Sequence, residues 1–278
     1  MKKALIILCL CVLCAFESEE QAVEKVDLNL EENEIGITFL HLSKGEATLI
    51  QDWTGSNFLV NTGGEGTEKE LFELLKMFGV ESLQAVIVTK DTNGYVNNLA
   101  SLYSTFKGSQ WISGQRNVEN GNLDHYISLK EWDTWKVNES VKWQNELQFY
   151  ILHDNVSTTE HLGLDFVLTY GEHSLLYMSS ANKQVEIGFL NKSFLQEIDF
   201  IKVPEFGDAA GTSRKFIDYI DPNIAIIFQG EDKNPSQDVI ERLYSTWIDI
   251  YTTKQFGNVS IKMNKETYEV IPIFTKEQ

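Results

Sequence analysis

Lys90, Asp91, Thr92 and Tyr95 lie within six residues of one another in a polar loop that follows an apolar run. Lys90 with Tyr95 could serve as a general base and a polarising partner. Glu205 or Asp208 with His41 could form an acid–base pair, at a separation the sequence does not fix. A salt-bridged, filled pocket is the preferred reading of both sets. The five histidines, His41, His125, His153, His161 and His173, show no H-x-H or H-x-x-x-H spacing, so none marks a metal-ligand repeat. Cys9, Cys11 and Cys14 are the chain's three cysteines, all within its first fourteen residues. The body therefore has no thiol nucleophile, thiolate ligand or disulfide. G-x-S-x-G, P-loop and strand-borne G-x-G-x-x-G motifs are also missing.

These side chains need a strand to aim them. Val86-Ile87-Val88-Thr89 is a β-branched apolar run, Lys90–Gly94 are turn-formers, and Val96, Leu99 and Leu102 recur at helical spacing from Tyr95. Strand, polar loop and helix in that order place the loop at a strand's carboxyl end, where α/β folds keep their sites. Upstream, three strands are expected over 37–42, 47–52 and 57–61. A helix follows with Thr67 and Glu70 as a capping box, a Leu71-Phe72-Leu74-Leu75-Phe78 stripe, and Gly79 as its stop. Residues 110–147, with Trp111, Trp132, Trp135 and Trp143, read as a surface insertion packed by its own aromatics, or as a Trp-lined groove. Strands at 149–152, 164–170, 174–178, 200–203, 224–228 and 248–252 then alternate with helices at 182–189, 213–220 and 236–246. A hairpin closes the chain at 258–272. Ser213 is a candidate cap. The class is α/β, a four-layered αββα sandwich with one site between its halves.

Composition sets the surroundings. The 278 residues are 42% hydrophobic, enough for one large domain, placed at 35–274. Lys2 and Lys3 before apolar residues 4–16 have the build of a secretory signal over 1–15, followed by an acidic, solvated leader over 16–34. That apolar stretch falls short of the ~20 residues that cross a bilayer. A secreted or cell-surface location is expected, with a lipid anchor on Cys14 as the minority form. The net charge of −18 repels phosphate backbones, so nucleic acid is disfavoured as a partner.

Several segments carry a family likeness. Thr89–Tyr95 resembles the T-H-x-H-x-D-H loop of the metallo-β-lactamase fold, with Lys90, Thr92, Gly94 and Tyr95 in the ligand positions. Residues 39–50 (FLHLSKGEATLI), 58–64 (FLVNTGG) and 202–207 (KVPEFG) resemble F-L-D-V-G-Q-G-D-A, I-L-I-D-T-G-G and K-V-P-H-H-G of its competence-type, ComEC-like subfamily. The likeness runs in order from about residue 36 to 272 and implies the αββα fold and a two-zinc hydrolase ancestry. It puts His41 and Asn61 where the subfamily has Asp, and Glu205 or Phe206, Ser179 and Asn234 at the remaining ligand positions. Hydroxyls, an amide and an ammonium make a poor zinc shell, so no cofactor is expected. Glu205, near Asp91 and Asp208 in sequence, leaves room for an oxygen-ligated ion. The expected function is an exported protein of this fold without its zinc ligands, acting by binding a ligand or envelope partner. The alternative is a metal-dependent hydrolase, nuclease- or phosphodiesterase-like.

Overall fold

A computed structural model describes residues 25–115, 123–154, 162–231 and 233–275. The expected signal segment with its cysteines, residues 16–24 of the leader, and His161 lie outside the described residues. Among the described residues, fifteen strands form two sheets. The first has the order β15-β14-β1-β2-β3-β4-β5-β6, with β1 at Ile35–Leu40, β2 at Ala47–Asp52, β3 at Asn57–Val60, β4 at Ala85–Val88, β5 at Gln110–Gly114, β6 at Trp132–Trp135, β14 at Asn258–Met263 and β15 at Tyr268–Ile273. The second has the order β13-β12-β11-β10-β9-β8-β7, with β7 at Ser140–Lys142, β8 at Gln148–His153, β9 at Asp165–Tyr170, β10 at His173–Tyr177, β11 at Phe200–Lys202, β12 at Ile224–Ile227 and β13 at Asp249–Thr252.

Each sheet has an antiparallel part and a parallel part. In the first, β3 through β6 run parallel; in the second, β10 through β13 do. Strands β4 and β11 are interior members of those parallel parts, and their carboxyl ends lead into the two loops of the site. The alternation of side chains along β11 explains the layering. Phe200 joins the core between the sheets, whereas Ile201 joins a second cluster under the outer helices. Tyr177 on β10 and Ile226 on β12 flank Lys202 in register.

Helices cover the outer faces. α1 (Glu68–Met77) and α2 (Leu99–Thr105) bury Leu71, Leu74, Leu75, Leu99 and Leu102 against the first sheet. α3 (Lys183–Phe189), α4 (Arg214–Ile220) and α5 (Gln237–Tyr244) bury Val185, Phe189, Phe216, Ile217, Val239 and Leu243 against the second. α6 is the short turn Thr253–Phe256. Helix, sheet, sheet, helix is the expected four-layered sandwich. Among the described residues no helix is long and apolar enough to cross a membrane.

Several local expectations are corrected. Residues 110–147 are not an insertion: they supply β5 and β6 to one sheet and β7 to the other. Trp111, Trp132 and Trp135 are buried, and Trp143 stacks on Phe58 with ring centroids 4.4 Å apart, so they fill core rather than line a groove. Aromatic burial beat the charged residues around them. The described part of the leader stays largely exposed, as expected, but is tethered to the domain: Val26 N–H donates to Met77 O, and Lys262 pairs with Glu34 at 3.0 Å. Thr67 makes no cap bond, because its hydroxyl donates to Gly64 O and Glu70 accepts from Ser43 instead. Ser213 does not cap α4 either; the Glu186 carboxylate accepts the N–H groups of Thr212 and Ser213. The central helix starts at Leu99, not Tyr95, since Tyr95–Asn98 forms turns.

Candidate functional site

Three loops meet where the sheets face each other. The β1–β2 loop enters through Gly45, whose φ is +77 and whose missing Cβ admits Gly64 N and Gly94 O to 2.2 and 2.5 Å of that position. Glu46 then donates its N–H to Gly94 O and accepts at its own carbonyl from Gly63. These bonds leave the Glu46 side chain buried between the sheets. Lys202 reaches it from β11, with Nζ 2.6 Å from each carboxylate oxygen and 3.0 Å from Met178 O. The ammonium also lies 4.9 Å from the centroid of Tyr177 and 5.7 Å from that of Phe228. Burial pushes the Glu46 carboxyl up and the Lys202 ammonium down, while their mutual attraction opposes both shifts.

Asn61 links this pair to the central loop. It follows β3 directly in a left-handed conformation, φ 62. Its Nδ2 donates to Glu46 at 3.1 Å and to Tyr177 Oη at 3.4 Å, and its Oδ1 accepts from the Thr89 N–H and hydroxyl at 2.9 and 3.0 Å. Beyond Thr89 the Lys90 side chain turns inward and pairs with Glu205 from the loop after β11. Burial lowers the Lys90 ammonium from 10.5 to about 8; Glu46, Asp165 and Asp91 oppose that fall and Lys202 adds to it. Tyr95 is fully buried, its ring edge-on to Phe206 at 6.1 Å. Burial and the nearby carboxylates push its phenol well above 10, so it stays protonated.

A third charged group lies on the second sheet. Asp165, buried at the start of β9, accepts from the N–H groups of Ser179 and Ser180 at 2.5 and 2.9 Å. Its other oxygen sits 3.2 Å from His153 Nδ1. Burial draws the His153 pKa down, but the bond and charge of Asp165 outweigh it and the net shift is upward.

The site residues read from sequence divide accordingly. Lys90, Tyr95, Glu205 and Asn61 come together. Ser179 lies beside Lys90, for both press on one face of Gly163, 2.6 and 2.7 Å from where its Cβ would stand. Asp91 and Thr92 are half-buried at the loop's outer side, and Asn234 is exposed, accepting from Gln229 at 2.8 Å. His41 belongs elsewhere: its N–H donates to Asn258, and Glu70 and Lys254 are its charged neighbours. Burial lowers its pKa. Sequence reasoning missed Glu46, Lys202, Tyr177 and Asp165. One signal was available, since a lysine inside the apolar run Phe200–Val203 requires a buried counter-charge.

The chain has the metallo-β-lactamase fold, and the solved structures it superposes on have sequences far from its own. It matches a putative metal-dependent hydrolase from Parabacteroides distasonis at TM-score 0.53 and 10% identity, over 78% of this chain and 92% of that one. It matches the metallo-β-lactamase-fold protein YhfI from Bacillus subtilis at TM-score 0.53 and 13% identity, over 78% and 96%. The CmlA β-hydroxylase aligns at TM-score 0.58 and 10% identity, over 83% of this chain and 54% of that one. In sequence, the chain is 25% identical over 249 residues to Recombination protein 2 of Haemophilus influenzae; the match covers 85% of the chain but only 30% of that protein. No protein-family model matches.

Zinc, which such a fold implies, does not suit these side chains. At the positions that the sequence likeness gives as ligands are an ion-paired ammonium, a half-buried hydroxyl, a glycine, a protonated phenol, a buried hydroxyl, an exposed amide and either the Glu205 carboxylate, already paired with Lys90, or the Phe206 ring. Among the described residues, no three His, Cys, Asp or Glu side chains converge as a metal-holding group.

Proposed function

We propose that this chain is an exported protein that keeps a metallo-hydrolase scaffold, carries out no zinc-dependent hydrolysis, and acts by binding in the cleft between the sheets. The observation that carries the proposal is the Lys90–Glu205 pair, which puts a cation on the first ligand position and anchors its carboxylate from the facing loop. A second ammonium, Lys202, lies deeper in the same region. Each ammonium already holds a carboxylate, so an entering dication would have to break both pairs and stand beside the freed ammoniums. The likeness of residues 39–50, 58–64 and 202–207 to the competence-type subfamily, together with the match to a protein named for recombination, supports descent from a DNA-associated ancestor. The net charge of −18 supports a ligand or envelope protein as the present partner instead of nucleic acid.

The metal-dependent hydrolase is the second reading, favoured by neighbours of this fold that include a putative metal-dependent hydrolase and a diphosphatase of the PhnP family at TM-score 0.50. One experiment separates the two. Metal content is measured on the purified protein alongside turnover of bis(4-nitrophenyl) phosphate. Absence of both is the expected outcome; near-stoichiometric zinc with turnover would establish the hydrolase. Mass spectrometry of the mature N-terminus tests export and the Cys14 anchor.

A further inference from the structure

The turn after β11 packs over Lys90 and Tyr95 on an unfavourable backbone. Glu205 has φ 48 and ψ 44, and Phe206 follows with φ 59. Two consecutive non-glycine residues in the left-handed region are strained and persist only where the surroundings hold them. Here the holding contacts are the Glu205 carboxylate on Lys90 and the Phe206 ring against Tyr95. Beneath that turn the polar groups are incompletely matched. Tyr95 Oη and Ser179 Oγ are buried and, among the described residues, have no hydrogen-bond partner. Both residues flank Lys90: its Nζ is 5.4 Å from the Tyr95 ring centroid, and Ser179 shares the Gly163 contact. A buried hydroxyl left unbonded carries an uncompensated desolvation penalty, which an arriving acceptor would relieve. The side chain of Lys90 is 3% exposed and that of Glu205 is 25% exposed. The carboxylate is thus the member of the pair that solvent can reach and exchange.

We infer that the Glu205 carboxylate is a built-in stand-in for an external oxyanion. The cleft takes a small molecule bearing a carboxylate or a phosphate, whose oxygens neutralise Lys90 and accept from Tyr95 Oη and Ser179 Oγ. Glu205 swings to solvent when the ligand enters, and the strain at residues 205 and 206 is released. The chain's net negative charge selects against extended polyanions and leaves small anions as the compatible class. This inference rests on the cleft being a metal-free binding site.

The test is anion rescue of the full, chelator-treated chain carrying Glu205→Ala, with sodium acetate and inorganic phosphate as probes. At tens of millimolar, the expected rise in melting temperature is about 3 °C or more over a chloride control of equal ionic strength. Wild-type protein, whose own carboxylate competes, should move by less than a third as much. The double variant Lys90→Met/Glu205→Ala should not respond. A response to acetate alone assigns a carboxylate ligand, and a response to phosphate alone a phosphate ligand. No response to either anion, or an equal response in the double variant, would overturn the inference. Where Glu205→Ala does not fold in chloride, its refolding yield is compared with and without the two anions: a higher yield in either anion supports the inference, and an unchanged yield overturns it. Zinc found near stoichiometry in untreated wild type would sink the metal-free reading itself, whereas zinc-free protein that shows no rescue sinks this inference alone.

Discussion

Glu46, in the loop that enters β2 of one sheet, and Lys202, on β11 of the other, meet with Nζ 2.6 Å from the carboxylate, both side chains wholly excluded from solvent. The residues around them explain how such a pair is tolerated. Asn61 donates to the carboxylate, Met178 O accepts from the ammonium, and the faces of Tyr177 and Phe228 enclose it. A buried charge that loses its partner is far more costly than the pair itself, because desolvation then goes uncompensated. Lys202→Met should therefore destabilise the protein by about 3–5 kcal/mol in urea denaturation. Glu46→Leu combined with Lys202→Met should recover much of that loss. If the double variant is as unstable as the sum of both singles, the pair is not a coupled unit.

The loop that delivers Glu46 depends on Gly45. Its φ of +77 already disfavours any other residue, and an added Cβ would stand 2.2 Å from Gly64 N and 2.5 Å from Gly94 O. Both are backbone atoms, so nothing flexible can give way. Gly45→Ala should cost more than the ~1 kcal/mol of a left-handed alanine alone. It should also shift resonances of residues 61–64 and 94–95, because the loops share hydrogen bonds. Gly55→Ala is the control: φ is +85 there, with nothing within 4 Å of the added carbon, so its cost should be the conformational one only.

The fold was legible in the sequence because its strands carry their own patterns. Val86–Thr89 and Ile224–Phe228 are apolar runs of interior parallel strands, and both became β4 and β12 within a residue or two. The tryptophan-rich stretch was not legible, since a period-2 pattern is invisible in edge strands of three or four residues such as β6 and β7. At the site, two residues of the central loop lie together, Lys90 Nζ standing 5.4 Å from the Tyr95 ring centroid. Glu46 and Asp165 were missed because their partners lie 156 and 12 residues away; a lysine in an apolar run shows that a counter-charge is needed but not which residue supplies it. His41 was misplaced for a related reason. A strand position tells which face a side chain takes, but not how far along the sheet the cleft extends.

His153 and Asp165 supply a pH signature in the neutral range. The folded pKa of His153 is raised, so its contribution to stability is fully present below the unfolded value near 6.5 and is lost as pH rises through the folded value. Asp165→Asn keeps an oxygen to accept the Ser179 and Ser180 N–H groups but removes the charge. Burial then becomes the dominant influence and lowers the imidazole pKa. The contribution reverses sign, and stability should rise with pH up to about 6.5. Urea midpoints from pH 5 to 8 read both slopes; parallel profiles for wild type and Asp165→Asn would refute the coupling.

At alkaline pH the sign is set by Lys90. Its folded pKa of about 8 lies below the ordinary 10.5, so between those values the unfolded chain holds more protons than the folded one. Stability must then rise with pH across that window, by at most about 1.4 kcal/mol per pH unit for one group. Lys202, lowered by burial, acts in the same direction. Tyr95 and Tyr177 act oppositely above about pH 10, where the unfolded phenols ionise and the buried ones do not. Wild-type stability should accordingly climb from pH 8 to about 10 and then turn over. Lys90→Met should flatten the climb by one proton's share while leaving the turnover in place, because the tyrosines remain. A climb of equal slope in that variant would place the depressed ammonium elsewhere, and Lys202→Met is the variant that would then show the loss.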